Sequence, residues 1–183
     1  MIVIKNKRCK RENIEKEFPG CVIYDVTSKG EMKRFSPFYP HGGIPIPFSQ
    51  GATSMSVEGI WQGLKVFKSG EGIDRSCFRN DTMKELKRTV RTHGPCLGHQ
   101  KGIMSKELLE YITARKEIYV PSYFWMLEHK CKDLVEKLRN ESKERTVVLL
   151  DYDTNGDIED WHKPLSHASL IKRFIEETEE LSD

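Results

Sequence analysis

The sequence lacks several features that would settle its class at once. No stretch approaches the ~20 consecutive apolar residues that span a bilayer, so no membrane partner is expected. The five cysteines, at 9, 21, 77, 96 and 131, include no CxxC pair. A zinc site therefore has no support, and a reducing compartment is the simplest reading. Neither sign of charge dominates: thirty Lys and Arg face twenty-eight Asp and Glu, for a net charge of +2. That balance announces neither a nucleic-acid nor a membrane-surface protein, and any basic patch has to come from local arrangement. The opening MIVIKNKRCKREN places its apolar run before its charges, the wrong order for a secretory leader. A soluble, cytoplasmic protein is the expectation. No repeat, low-complexity segment or dividing linker interrupts the 183 residues, so a single domain over 1–183 is expected. No Ser-His-Asp or Cys-His order is legible, which disfavours nucleophilic hydrolysis of esters or peptides.

What is present reads as a mixture of strands and helices. Met1–Lys5 and Cys21–Val26 are short and β-branched, as strands are. RENIEKEF between them suits a helix stopped by Pro19-Gly20. Residues 36–54 are rich in turn formers, and long ordered loops are often functional. From Ser56 the spacing is helical: Val57, Ile60, Trp61, Leu64 and Phe67 make one buried stripe that ends at Gly70 and Gly72. Thr82 and Glu85 in TMKE form a capping box, which predicts a helix from Thr82 to the Gly94-Pro95 stop. CLGHQKGIM is expected to be loop with a short strand. Ser105 then caps a helix through Arg115, and KEIYV is a brief extended link. Pro121 suits the first turn of a helix carrying Phe124, Leu127, Cys131, Leu134, Val135 and Leu138. RTVVLLDY is apolar enough to be central in a sheet. DTNGDIED is a polar turn. Pro164 opens a last helix with Leu165, Ala168, Ile171, Phe174 and Ile175 inward, and an acidic tail follows. The order of elements predicts an α+β domain, several helices packed around a small sheet.

Some residues are placed to do chemistry. Glu58, Gln62 and Lys65 fall at i, i+4 and i+7 and share a face beside the apolar stripe. On the plain reading this face is solvated and Glu58 complements the helix dipole. On the sharper one the aromatic loop with Phe35, Phe38 and Tyr39 folds over it, and a drier Glu58 moves toward a useful acid–base range. Lys84, Lys87, Arg88 and Arg91 follow helical spacing after Arg75 and Arg79, a cationic face able to hold phosphate or a nucleic-acid backbone. Ordinary solvated helices carry such stripes too. Asp151, Asp153, Asn155 and Asp157 imitate a calcium loop, but His162 stands where its final glutamate is required, which argues against it. An acidic turn after a strand is a common place for catalytic side chains, and equally a plain turn. His41 before Gly42-Gly43 and His99 after Gly98 are placed as loop ligands, while His167 suits a structural hydrogen bond. Tyr119, Tyr123 and Trp125 suit a core, or the flanks of a flat ring.

FSPFYP followed by SVEGIWQGLKVF is similar to the paired signature of the NADAR superfamily. Ser36, Phe38, Tyr39 and Pro40 match its first half; Val57, Glu58, Gln62 and Lys65 match its second. The likeness thins beyond residue 70, where TVVLLDYDTNGD and PLSHASLIKRFIEE resemble the family's strand, acidic turn and closing helix. Gly59 stands where the family has a histidine, and Pro37 where it has an asparagine. The resemblance implies a NADAR-like fold and hydrolysis of an N-glycosidic bond in a nucleotide, ribose-phosphate or ADP-ribosyl substrate. It makes Glu58 the acid/base or water-activating carboxylate, gives Phe38 and Tyr39 the pocket wall, and sets Gln62 and Lys65 to orient Glu58 or the sugar. Cleaving a C–N glycosidic bond builds positive charge on the ribose, which a carboxylate stabilises. Asp153 or Asp157 is the candidate second acid. Ser36, His41 and His99 complete the substrate-binding set, with Arg79 and Lys87 on phosphate. No metal or organic cofactor is called for. The rival reading is a catalytically silent binder of nucleotide or nucleic acid that uses the basic face, and a purely structural interaction protein is third.

Overall fold

Five consecutive buried residues, VVLLD, organise one end of the chain. In the computed structural model, which describes residues 1–180, they form strand β8 (Val147–Asp151). A strand buried along its whole length needs cover on both faces, as in parallel sheets. β8 is the middle of three strands, paired in parallel with β1 (Ile2–Asn6) on one side and β2 (Val22–Asp25) on the other. Side chains alternate between faces along a strand. Val148 and Leu150 join Ile23 and Ile14 of helix α1 (Arg11–Glu17) in one apolar cluster. The opposite register carries Val147 and Leu149, and helices α7 (Lys132–Glu144) and α8 (His167–Glu180) lie against β8.

The chain divides into two compact units, one from residues 1–36 and 127–183 and the other from 37–126. The three-stranded parallel sheet belongs to the first. The second holds two smaller antiparallel sheets. One pairs β3 (Ile44–Pro45) with β4 (Thr53–Ser54). The other runs β5 (Lys65–Phe67), β6 (Cys96–Gln100), β7 (Leu108–Leu109). Its helices are α2 (Val57–Gly63), α3 (Arg75–Arg79), α4 (Val90–His93) and α5 (Tyr111–Ala114), and α6 (Val120–Lys130) leads the chain onward. The class is α+β, with three small sheets where one was expected. No described helix is long and apolar enough to cross a membrane.

Several expected boundaries move, each for a local reason. The helix predicted from Thr82 does not form. Asn80 Oδ1 takes the Thr82 amide (2.9 Å) and Asn80 Nδ2 donates to the Lys84 carbonyl (2.9 Å), closing a turn in which the Thr82 hydroxyl takes the Lys84 amide (3.2 Å) and not the Glu85 amide that a capping box needs. Met83 and Glu85 adopt left-handed backbone, φ 61° and 57°, which breaks the capping box. Ser105 does not start a helix either. Leu109 pairs with His99, and Glu110 caps α5 instead, accepting from the amides of Ile112 (3.1 Å) and Thr113 (2.7 Å). The KEIYV segment is helical: Arg115–Tyr119 form a π turn in which the Val120 amide reaches back to the Arg115 carbonyl. Pro121 directly follows and has no amide to give, so a widened turn there absorbs the missing bond. The helix expected around Leu127 to Leu138 is broken at Cys131, which leaves α6 and α7 separate. α8 begins three residues after Pro164, and its inward side is Ala168, Leu170, Ile171 and Ile175. The last three residues of the predicted acidic tail, 181–183, lie outside the described residues.

Polar groups gather where the parallel strands end. Asp25 pairs with Lys7 (2.7 Å) and accepts from the Thr27 amide (2.9 Å) and hydroxyl (2.6 Å). Burial pushes the Asp25 carboxyl up, but the bonds from Lys7 and Thr27 outweigh it and hold the group below the usual carboxylate value. A depressed carboxyl contributes stability that is present above its unfolded pKa and lost as pH falls through the folded one. D25N is therefore expected to cost about 2 kcal/mol near neutrality. In urea melts the gap to wild type should narrow below pH ~4, where the wild-type carboxylate takes up its proton; a gap constant down to pH ~2.5 would contradict this account.

Candidate functional site

Helix α2 is two turns long and starts from a well-made cap. Ser56 Oγ accepts the Gly59 amide at 2.9 Å, and the Glu58 amide donates to the Pro37 carbonyl at 2.8 Å. That second bond fixes the start of the aromatic loop against the first turn of the helix. The helix also sits very close to α3. A Cβ on Gly59 would lie 2.5 Å from the Cys77 carbonyl oxygen, and one on Gly63 would lie 2.4 Å from the Phe78 ring. A histidine at position 59, as in the NADAR pattern, could not fit without moving α3.

The face carrying Glu58 is not solvated. Glu58 is 8% exposed and Gln62 5%. The Gln62 amide nitrogen donates to Glu58 Oε1 at 2.7 Å, and its carbonyl oxygen accepts the Arg88 backbone amide at 3.0 Å. Gln62 thus has a fixed amide orientation and a fixed rotamer. The helix ends at Gly63 rather than running to Phe67. The Arg88 guanidinium takes its terminal carbonyls, donating to Gln62 O (3.0 Å) and Lys65 O (2.9 Å) and then to Gly72 O (2.8 Å), while its plane covers the Phe67 ring at 4.8 Å. Phe67 keeps its predicted burial from strand β5.

Lys65 and His99 face each other across the β5–β6 ladder as Cα partners. Burial pulls the Lys65 ammonium below its ordinary value, and the nearby Glu58 carboxylate opposes this in part. His99 is 2% exposed, and its ring stacks on Trp61 at 3.8 Å between centroids. Trp61 is braced edge-on by Tyr119 (5.4 Å) and Tyr111 (5.9 Å). Neither ring nitrogen of His99 reaches a protein partner in hydrogen-bonding geometry. Burial, with the Lys65 charge added and the Trp61 backbone opposing, drives its pKa down to about 3. The ring is neutral across the physiological range.

The second unit therefore brings together Glu58, Gln62, Lys65 and His99 in one electrostatic neighbourhood. Phe38 lies one residue beyond the Pro37 carbonyl bond, with Lys87 Nζ 6.0 Å from its ring centre. Tyr39 and His41 pack ring on ring at 4.6 Å. The expected cationic face dissolves with its helix: Arg79 and Arg91 are exposed on the short helices α3 and α4, Lys84 and Lys87 are exposed on irregular backbone between them, and Arg88 is buried and structural. Ser36 is buried at the end of the first unit's leading segment. Asp153 and Asp157 also belong to the first unit. Asp157 is exposed and accepts the Glu159 amide at 2.9 Å within its own turn. Asp151, the last residue of β8, is buried and accepts from the Ser166 hydroxyl (2.8 Å) and the Ala168 amide (3.2 Å), which anchors the start of α8. His167 holds the structural role expected of it, with Nε2 2.8 Å from the Val26 carbonyl and Nδ1 3.1 Å from Asp151. Among the described residues no group of His, Cys, Asp and Glu has the arrangement of a metal site. Sequence spacing missed the inward turn of Arg88, Trp61 as the platform of His99, and Arg115, which is fully buried with its guanidinium on the Tyr111 hydroxyl at 2.9 Å.

These features describe an α+β chain whose second unit buries a carboxylate, an amide and an imidazole, with a half-buried ammonium beside them, around one short helix. The chain belongs to a family of unknown function, DUF6939, whose model matches residues 6–171. No curated protein and no solved structure matches it.

A histidine buried neutral has a folded pKa below its unfolded one, so the unfolded state binds more protons between the two values and stability falls as pH falls. Relative to H99F, wild type is expected to lose ~2 kcal/mol between pH 7 and pH 5. Chemical denaturation of both proteins across that range checks this; parallel profiles would refute the neutral, buried assignment.

Proposed function

We propose that the second unit carries an N-glycosidase site for a nucleotide, ribose-phosphate or ADP-ribosyl substrate, with Glu58 as the acid/base or water-activating carboxylate. The observation that carries this reading is the burial of Glu58 in the first turn of α2, bridged to Gln62 and electrostatically linked to Lys65. Charged helix residues are rarely buried unless paired, and burying one costs free energy that ordinary packing does not return. A site that stabilises an oxocarbenium-like charge gives the burial a use, because a carboxylate acts most strongly where water is excluded. Gln62 fixes the carboxylate rotamer. Lys65 supplies a hydrogen-bond donor toward the sugar or the base. Phe38, placed by the Pro37 carbonyl bond at the helix start, supplies the apolar wall. The resemblance of FSPFYP and SVEGIWQGLKVF to the NADAR signature supports the same roles.

The test is incubation with a panel of nucleotides and ADP-ribosylated substrates, with mass spectrometry for released base. Wild type should release base from at least one member, and E58Q should be slower by ~100-fold or more, with an unchanged far-ultraviolet spectrum. Equal turnover by the two proteins would remove Glu58 from the chemistry. Binding by both proteins without release by either would replace the enzyme with the silent nucleotide binder.

A further inference from the structure

We infer that strand β1 pairs edge to edge with β1 of a second copy of this chain, antiparallel about a two-fold axis at Ile4, so that two three-stranded sheets join into one. The backbone hydrogen bonds are the starting point. An edge strand bonds inward through alternate residues and turns the N–H and C=O groups of the others outward. The Lys7 amide donates to the Asp151 carbonyl (2.7 Å), and the Met1 carbonyl accepts the Val147 amide (2.9 Å). That phase sets Val3 and Lys5 inward, bonded to β8, and Ile2, Ile4 and Asn6 outward. Among the described residues, none bonds to the amides of Ile2, Ile4 and Asn6 or to the carbonyls of Ile2 and Ile4; the Asn6 carbonyl alone is used, by the Cys9 amide at 2.9 Å. The far edge of the same sheet is closed. There Arg11 Nη1 donates to the Ile23 carbonyl (3.5 Å), Glu31 Oε1 accepts the Asp25 amide (3.0 Å), and the Met32 amide donates to the Asp25 carbonyl (3.1 Å).

Backbone groups without a protein partner face water, because burying them unpaired costs as much as a lost hydrogen bond. Val3 to Asn6 are each partly exposed, in keeping with an open edge. The strand has no proline, glycine or bulge to blunt it. Its one charged side chain, Lys5, is paired with Glu17 at 2.7 Å, and Lys7 just beyond is paired with Asp25 at 2.7 Å. Register and charge favour a second copy as the occupant. A two-fold axis at Ile4 sets Ile4 against Ile4 and Ile2 against Asn6, so every outward residue meets an outward residue and N–H groups meet C=O groups. The alternate positions set Val3 of one copy against the aliphatic stem of Lys5 of the other, and no like charges lie opposite. Moving the axis one residue on, to Lys5, would place that lysine against its own copy, which the pairing of like charges disfavours. The axis at Ile4 also engages the whole of β1.

The experiment is sedimentation velocity on the full chain, wild type and I4P, with amide hydrogen exchange read residue by residue by NMR. Between ~5 and ~500 μM wild type should form a reversible dimer, since one strand edge is a small interface and binds in the micromolar range at best. I4P removes an amide that points away from β8, a position where an edge strand tolerates proline. It should fold as wild type does and associate at least ~10-fold more weakly. In wild type the Ile4 amide should exchange freely in dilute protein and become protected as concentration rises, while Val3 and Lys5, bonded to β8, stay protected throughout. If I4P does not fold, the exchange of the wild-type Ile4 amide decides alone. An Ile4 amide already protected in dilute monomer means the edge is covered within the chain, and overturns the inference. Dimerisation of folded I4P with wild-type affinity places the interface elsewhere, and does the same. A wild type that stays monomeric with a freely exchanging Ile4 amide leaves the edge to water or to a strand of another protein, and also overturns it.

Discussion

The arrangement of the second unit depends on one buried guanidinium. Arg88 ends helix α2 by taking carbonyls that would otherwise face an apolar interior, ties them to the Gly72 turn and lies over Phe67. Its own backbone amide holds the Gln62 side chain, and Gln62 holds Glu58. A lysine could not replace it, because a point ammonium lacks both the planar fork and the flat face that stacks on a ring. The consequence reaches two residues along the network: the carboxylate at the helix start is oriented by an arginine thirty positions later. A side chain that spacing alone assigns to a phosphate-binding surface is in fact internal, and it contributes order where the expected role was charge.

Around that fixed frame the chain keeps groups that a purely structural interior would not. Glu58 and Lys65 are partly desolvated, and His99 is enclosed against Trp61. Each opposes folding on its own. Concentrated in one place, they are the groups that the proposed site would use, at some cost in local stability. In the first unit Asp25, Asp151 and His167 are also enclosed, and Lys7, Thr27, Ser166 and the Val26 carbonyl hydrogen-bond them. Those groups hold the ends of strands and the start of α8.

Much of the fold was legible because it rests on short-range signals. The β-branched runs gave β1, β2 and β8, Pro19-Gly20 closed α1, and VVLLD announced its central place. The failures share a cause: a local competitor won over the expected cap. Asn80 captured the turn ahead of Thr82, and Glu110 capped α5 in place of Ser105. Pro121 was read as a helix start, whereas a π turn lets the helix run through it. Of the site, the Glu58–Gln62 pair was visible in its i, i+4 spacing. The neighbourhood of Lys65 and His99 was not, since it is made by pairing β5 with β6 across thirty-odd residues, a relation no local period encodes. Gly59 could be seen as a departure from a pattern, but its reason, the closeness of the Cys77 carbonyl, exists only in three dimensions.

The strand order β1-β8-β2 has an outcome in time as well as in space. β1 and β2 do not pair with each other; the ladder partner of each is β8 (147–151). As the polypeptide leaves the ribosome, the amino-terminal strands must therefore wait unpaired until most of the chain exists, because non-local pairing is slow and its loop entropy comes first. The contiguous stretch 37–126 has no such wait. Maturation is thus expected to run from 37–126 outward, with β1 and β2 among the last elements to find their neighbours.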